Sequence, residues 1–279
     1  MKEYTGDKIR NVAIVGHGGA GTTSVTEALL FRAGAINRMC KVEDGATTTD
    51  FEPEEIKRKA SVSATMAPVE WRDSKINFID TPGFADFVAE VKGAFRAVDS
   101  AMIVVNATSG VQVGTEQCWK LAEAAHLPRI ILVNKMDREN ADFDSILDNL
   151  RSKFGKKVLP LELPLGKEDA FCGVIDCVKM KAYKGNGNGS DEIEIPADLM
   201  DYAKDMHDKM VEAAVEADDD VMMRYLDGET ITDEEIKKCL IKGIRQALIF
   251  PMICCSAVKN IGLGRTMNAI IDYTYPAIL

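Results

Sequence analysis

The sequence predicts an α/β fold: a mostly parallel sheet, three layers with helices on both faces, and an inserted α+β subdomain. Three observations predict it. Short β-branched runs alternate along the chain with amphipathic segments of helix length. Those runs are almost continuously apolar, as strands buried on both faces of a parallel sheet are. Between about Gly155 and Ile249 the rhythm changes to proline-containing turns, a glycine-rich tract and two acidic stretches of helical length.

The expected strands are Ile9 to Val15, Lys75 to Ile79, Ala101 to Val105, Arg129 to Val133 and Ile249 to Cys254. Helices fit Thr23 to Ala33, Ala85 to Ala97, Thr115 to Ala125, Asp142 to Phe154 and Leu263 to Tyr273. Val62, Ala64 and Met66 alternate with Ser61, Ser63 and Thr65, which reads as a half-exposed edge strand. Charged residues from Glu54 to Lys59 read as a solvated stretch that orders only with a ligand or partner. Residues 1–157 and 250–279 then form the core domain, and residues 158–249 the insertion. Within the insertion, Pro196 to Ala217 and Thr232 to Leu248 are helical, and the run Asp218 to Asp220 is a solvated helix terminus. The segment KGNGNGSDE reads as a hairpin tip.

Composition narrows the function. Forty-four acidic against thirty-four basic residues give a net charge of −10, which repels a phosphate backbone at long range and argues against DNA as a partner. Seven cysteines without a CxxC pair, beside only three histidines, fit neither a disulfide framework nor a zinc site. Apolar runs such as Leu248 to Val258 are too short and proline-interrupted to span a bilayer, and MKEYTGDKIR lacks a hydrophobic signal region. A soluble, cytoplasmic, monomeric protein is expected.

The chemistry lies at the ends of the strands. The first runs into Gly16-His17-Gly18-Gly19-Ala20-Gly21-Thr22-Thr23-Ser24, and a helix follows at once. Glycines let backbone N–H groups converge on phosphate oxygens, and the helix N-terminus adds its positive end. Thr23 stands where a hydroxyl ligates Mg²⁺. The pattern GxxxxGK[ST] has Thr22 in the lysine position, so this loop alone reads equally as a plain strand-to-helix turn. Asp80-Thr81-Pro82-Gly83 closes the next core strand, where the aspartate can hold a Mg²⁺-bound water and the Gly83 N–H can reach a γ-phosphate. Asn134-Lys135-Met136-Asp137 closes a later strand, and its aspartate can accept hydrogen bonds from the guanine N1 and exocyclic amine, which adenine does not present. Ser256-Ala257, after the last strand, can offer a backbone N–H to the guanine O6. All four occur in order at the carboxyl edge of a sheet, where open α/β folds bind ligands.

With these segments in view, the sequence resembles the translational GTPases, and elongation factor G in particular. The GHGGAG loop, DTPGFADFVAEVKGAFRAVDSAMIVVNATSGVQVGTE, PRIILVNKMDRENADF and LPLELPLGKEDAFCGVIDCVKMKA are similar to that family over long runs. The resemblance implies a P-loop GTPase fold carrying a subdomain within it, GTP or GDP and Mg²⁺ as ligands, and further domains after this one. It also implies a ribosomal partner, both ribosomal RNA and stalk proteins, and GTP-driven translocation by the full-length protein. It places Arg58-Lys59-Ala60-Ser61-Val62 at the mobile switch, with Ser61 replacing the threonine that completes Mg²⁺ coordination. Ribosomal-protection and peptide-release GTPases share such a domain.

Three positions around the phosphates depart from what the family usually has. Thr22 lacks the ammonium that contacts β- and γ-phosphates, so weak nucleotide binding is expected unless Lys57 or Lys59 swings in. Phe84 follows Gly83 where the family usually has the histidine that orients the attacking water, so slow hydrolysis is expected. Gly19, where many members have aspartate, points the same way. A nucleotide-dependent binding module without hydrolysis is the competing reading.

Overall fold

The computed structural model describes residues 2–185 and 190–277. Strand β1 (Ile9–Gly16) leads through a glycine loop into α1 (Thr22–Arg32). A short α2 (Pro53–Arg58) precedes the hairpin β2 (Thr65–Trp71) and β3 (Ser74–Asp80). Then come α3 (Val88–Phe95), β4 (Ser100–Asn106), α4 (Val113–Ala124), β5 (Arg129–Asn134), α5 (Phe143–Phe154) and β6 (Val158–Pro160). The strands β7 (Glu162–Leu165), β8 (Gly173–Asp176), β9 (Lys181–Gly185) and β10 (Ser190–Ile193) are followed by α6 (Ala197–Val215), α7 (Asp219–Leu226) and α8 (Asp233–Arg245). Strand β11 (Phe250–Cys254) and α9 (Leu263–Tyr273) complete the order.

Seven strands form the main sheet in the order β2-β3-β1-β4-β5-β11-β6, and only the β2–β3 pair is antiparallel. Its sidedness follows from the strand period of two. Ala13, Val15, Ile103, Val105, Ile131 and Val133 pack into one core, while Val12, Ile14, Met102, Val104, Ile130 and Leu132 pack into the other. Each such aliphatic side chain contributes about 1.5–3 kcal/mol when withdrawn from water. Helices cover both faces, giving the three expected layers. Register then aligns the functional termini, with Ile14 beside Asp80, Gly16 beside Val104, Asn106 beside Asn134 and Cys254 beside Val133.

The remaining strands form a four-stranded antiparallel sheet, β10-β9-β8-β7. Ser190 pairs with Gly185 across β9 and β10, while the tip of the glycine-rich tract, residues 186–189, lies outside the described residues. Asp218 caps α7, its side chain accepting the Val221 N–H. Sequence periodicity had not separated α7 as a helix of its own.

Two expectations near the switch are corrected. Strand β2 begins at Thr65, so Ser61 is not an edge-strand residue. The donors that a ladder would use are already taken: Val62 N and Ser63 N bond Glu55 Oε1 at 2.9 and 3.1 Å, and Ala64 N bonds Glu90 Oε2 at 2.8 Å. The stretch from Glu54 to Lys59 is not a disordered run either. Pro53 opens a helical turn there, and Glu52 and Glu55 form a reciprocal capping box.

Candidate nucleotide site

Strand β1 ends at Gly16, and the loop folds back so that Ala20 N bonds the His17 carbonyl at 2.9 Å. Gly19 and Gly21 sit at φ +86° and +96°, a region open to glycine. At Gly21 a side chain is also excluded by space, since a Cβ would lie 2.7 Å from Asn134 Nδ2. Helix α1 starts at Thr22 with no side-chain cap on its first N–H groups. An uncapped helix start behind a glycine loop is an anion site.

On one flank of this loop, hydroxyls and carboxylates gather from distant segments. Thr23 Oγ1 lies 2.9 Å from Ser61 Oγ, and Ser61 donates onward to Asp50 Oδ1 at 2.7 Å, so Thr23 is the donor to Ser61. Thr49 Oγ1 donates to Asp80 Oδ2 at 2.8 Å. All five residues are buried, yet Asp50 Oδ2, Asp80 Oδ1 and, near them in sequence, Thr47 Oγ1 have no hydrogen-bond partner among the described residues. Burial pushes the Asp80 carboxyl up to about 7, opposed by the Thr49 hydrogen bond and reinforced by Asp50. Burial raises Asp50 as well, against the Ser61 hydrogen bond. Orphaned, desolvated oxygens of this kind fit a hard divalent cation. Among the described residues no three His, Cys, Asp or Glu side chains form a closed cage. Mg²⁺ bound through one or two carboxylates and phosphate oxygens needs none.

On the other flank, Asn134 laces the loops together. Its Nδ2 donates to the Ala20 carbonyl at 3.1 Å, and its Oδ1 accepts from Ala257 N at 3.1 Å and from Cys255 Sγ at 3.5 Å. Met136 N bonds the Cys255 carbonyl, and Lys259 N bonds Ser256 Oγ at 3.1 Å. Asp137 is half-buried and takes no hydrogen bond among the described residues. Its carboxylate is therefore available to a base.

Lys135 Nζ donates to the Gly19 carbonyl at 2.7 Å, and burial lowers its pKa, helped by Arg138. This ammonium, and not that of Lys57 or Lys59, sits on the phosphate loop. The latter two are exposed, Lys57 on α2 and Lys59 just after it.

Asp80-Thr81-Pro82-Gly83 closes β3 directly against the phosphate loop. Thr81 Oγ1 donates to the Ile14 carbonyl at 2.8 Å, and a Cβ at Gly83 would lie 2.8 Å from Gly18 N. The Phe84 ring stands over Gly18, where an added Cβ would meet three ring carbons at 3.2–3.3 Å, and the residue is 51% exposed. His17 turns its ring away, Nδ1 accepting the Gly114 N–H at 3.3 Å. Of the residues singled out in sequence, Gly16 closes β1, Thr22, Thr23 and Ser24 open α1, Asp80 closes β3, Asn134 closes β5, and Ser256 and Ala257 follow β11.

The family model for the elongation factor Tu GTP binding domain matches residues 7–276, from ahead of β1 to beyond α9. The chain belongs to this family. It is accordingly a GTP-binding domain of the translational GTPase type, on a P-loop GTPase fold with an additional β subdomain. The crystal structure of a protein from Thermus thermophilus is similar over 97% of the chain, with a TM-score of 0.92 and 37% identity. The chain spans 41% of that protein. Among the described residues of this elongation factor Tu-type domain, no helix is long and apolar enough to cross a membrane.

Sequence reasoning missed Thr49 and Asp50, which converge on the same buried cluster as Asp80, and the buried Thr47 just before them in the chain. The run Thr47-Thr48-Thr49-Asp50 was a signal, since hydroxyls and a carboxylate stand together between a glycine loop and a switch. Glu27 was missed too: it is buried in α1 and accepts Cys40 N at 3.1 Å and Thr48 N at 2.8 Å, holding the switch from below.

Proposed function

We propose that this chain is the GTP-binding domain of an elongation factor G-type GTPase. In that reading the loop from Gly16 to Ser24 cradles the phosphates, and Asp137 with the Ala257 N–H reads guanine. Thr23, Ser61 and Asp80 would hold Mg²⁺, which would supply charge neutralisation on the phosphate oxygens. In the full-length protein, nucleotide binding and hydrolysis drive translocation on the ribosome, with ribosomal RNA and stalk proteins as partners and the cytoplasm as the compartment. One observation supports this reading above the others: Asn134 hydrogen-bonds both the glycine loop and the Ser256-Ala257 loop, and so joins the segment proposed for the phosphates to the one proposed for the base.

A specific observation favours a second reading. With Thr22 in the lysine position and a Phe84 ring over Gly18, the domain lacks both a phosphate-contacting ammonium on α1 and a water-orienting group after Gly83. A nucleotide-dependent ribosome-binding module with little hydrolysis fits that pair. Titration with mant-GTP and mant-ATP, with and without Mg²⁺, followed by single-turnover hydrolysis on ribosomes, separates the readings. Mg²⁺-dependent binding of GTP over ATP with ribosome-stimulated turnover supports the GTPase; the same binding without turnover supports the module. Equal binding of ATP would overturn both.

A further inference from the structure

Both loops expected to hold the base are touched from outside by a single turn of the second sheet. Between β7 and β8 the chain makes a 3₁₀ turn at Glu168–Ala170, entered through Gly166 at φ +84° and anchored by the buried Phe171. Glu168 Oε1 accepts the Asn140 N–H at 2.7 Å, just beyond the Asn134-Lys135-Met136-Asp137 segment. Lys259 Nζ, in the loop after Ser256-Ala257, donates to the Asp169 carbonyl at 2.8 Å and lies 3.8 Å from its carboxylate. We propose that this Glu168-Asp169 turn is a positioning brace for the guanine pocket. Glu168 and Lys259 then set how long a guanine nucleotide stays bound, and how sharply the base is read, without touching it.

The backbone shows why a brace is needed. Lys135, Asn140, Glu168 and Asn260 all occupy positive φ, at +69°, +64°, +51° and +53°. Such conformations persist in side-chain-bearing residues only where surrounding contacts over-determine them. The Asn140 N–H and the Lys259 ammonium supply two of those contacts, and both end on the same turn. The two strands that flank the turn are tied at their far ends. Arg265, on α9 just after the base loop, bonds Glu162 Oε1 at 3.3 Å and Asp176 by a shorter contact, and both acids are buried. Glu162 opens β7 and Asp176 closes β8, so both strands flanking the turn are pinned to the helix that follows the base loop.

This inference rests on the guanine-binding reading, and its test keeps the two apart. Dissociation of mant-GDP and of mant-IDP, which lacks the exocyclic amine, is measured by stopped flow for the chain and for Glu168→Ala, Lys259→Ala, the double variant and Glu168→Gln. Loss of one charge-assisted hydrogen bond predicts about 3–10-fold faster mant-GDP release for each single variant. The double variant falls short of the product, because both bonds act through one turn. Glu168→Gln keeps the acceptor and stays close to the unaltered rate. The ratio of mant-GDP to mant-IDP dissociation moves toward one in the alanine variants, which general loosening does not produce. Lys157→Ala, which breaks a surface pair with Glu216 away from the turn, serves as the control. Unchanged mant-GDP release, or equal acceleration of both nucleotides with a lowered melting temperature, would overturn the brace. If the unaltered chain showed no preference for guanine, the nucleotide reading itself would fall and the brace with it.

Discussion

Thr22 begins α1 with a side chain that carries no positive charge, and its methyl group lies near Gly16, 3.3 Å from where a Cβ there would stand. A lysine at this place would add charge-assisted hydrogen bonds to phosphate, each worth about 1.5–3 kcal/mol. Thr22→Lys should therefore tighten GTP by roughly 10²–10⁴-fold in calorimetry. Unchanged affinity would mean that Lys135, already on the Gly19 carbonyl, meets the need. Phe84 belongs to a different step. Its ring stands over the phosphate loop at Gly18, so Phe84→His should leave GTP affinity within a few-fold while raising ribosome-stimulated hydrolysis about 10²-fold or more. A change in affinity without a change in rate would place the ring in binding. The places of Asp80 and Asn134 in the fold were legible because their motifs close core strands, β3 and β5. That of Asp50 was not: its partner is a buried hydroxyl, Ser61, eleven residues away, that only folding brings to it.

At the scale of elements, strands buried on both faces declare themselves by nearly unbroken apolar runs, so β1, β4, β5 and β11 were readable nearly to the residue, as was β3, whose buried residues alternate. The switch was harder, because its backbone donors go to Glu27, Glu55 and Glu90, and a carboxylate tether leaves no periodicity. Strand β6 was hidden for another reason: Val158–Pro160 is too short to show a pattern, yet it pairs in parallel with β11. We propose residues 158–249 as the inserted subdomain, with β6 contributed to the core sheet. The junction carries a pH signature. Burial, with the like charge of Asp176, pushes the Glu162 carboxyl up to about 7 despite Arg265. Unfolded glutamate titrates near 4.3. Between these values the folded state holds a proton that the unfolded state has lost, so stability falls as pH rises through the window, by at most about 1.4 kcal/mol per pH unit. Glu162→Gln should flatten that slope in denaturant titrations at pH 5 and pH 7. An unaltered slope would assign the pH dependence to another group, such as Asp80.

For the whole molecule, the site is a seam. Thr23, Asp50, Ser61 and Asp80 come from the front of the chain, Asn134 and Asp137 from its middle and Ala257 from its far end, so any ligand that spans them ties the sheet edge together. A ligand that binds only the folded state stabilises it by RT ln(1 + [L]/Kd), about 2.7 kcal/mol at a hundredfold excess over Kd. In a domain of this size that corresponds to a rise of roughly 5–10 °C in melting temperature. Millimolar GTP with Mg²⁺ should produce such a shift if Kd is near ~10 µM. ATP should produce almost none, because Asp137 has two donors to accept from guanine and none from adenine. Omitting Mg²⁺ should remove much of the GTP shift, since the unpaired oxygens of Asp50 and Asp80 then meet phosphate charge without a cation between them. Equal shifts with GTP and ATP would separate the phosphate site from the base site and break the link that Asn134 makes between them.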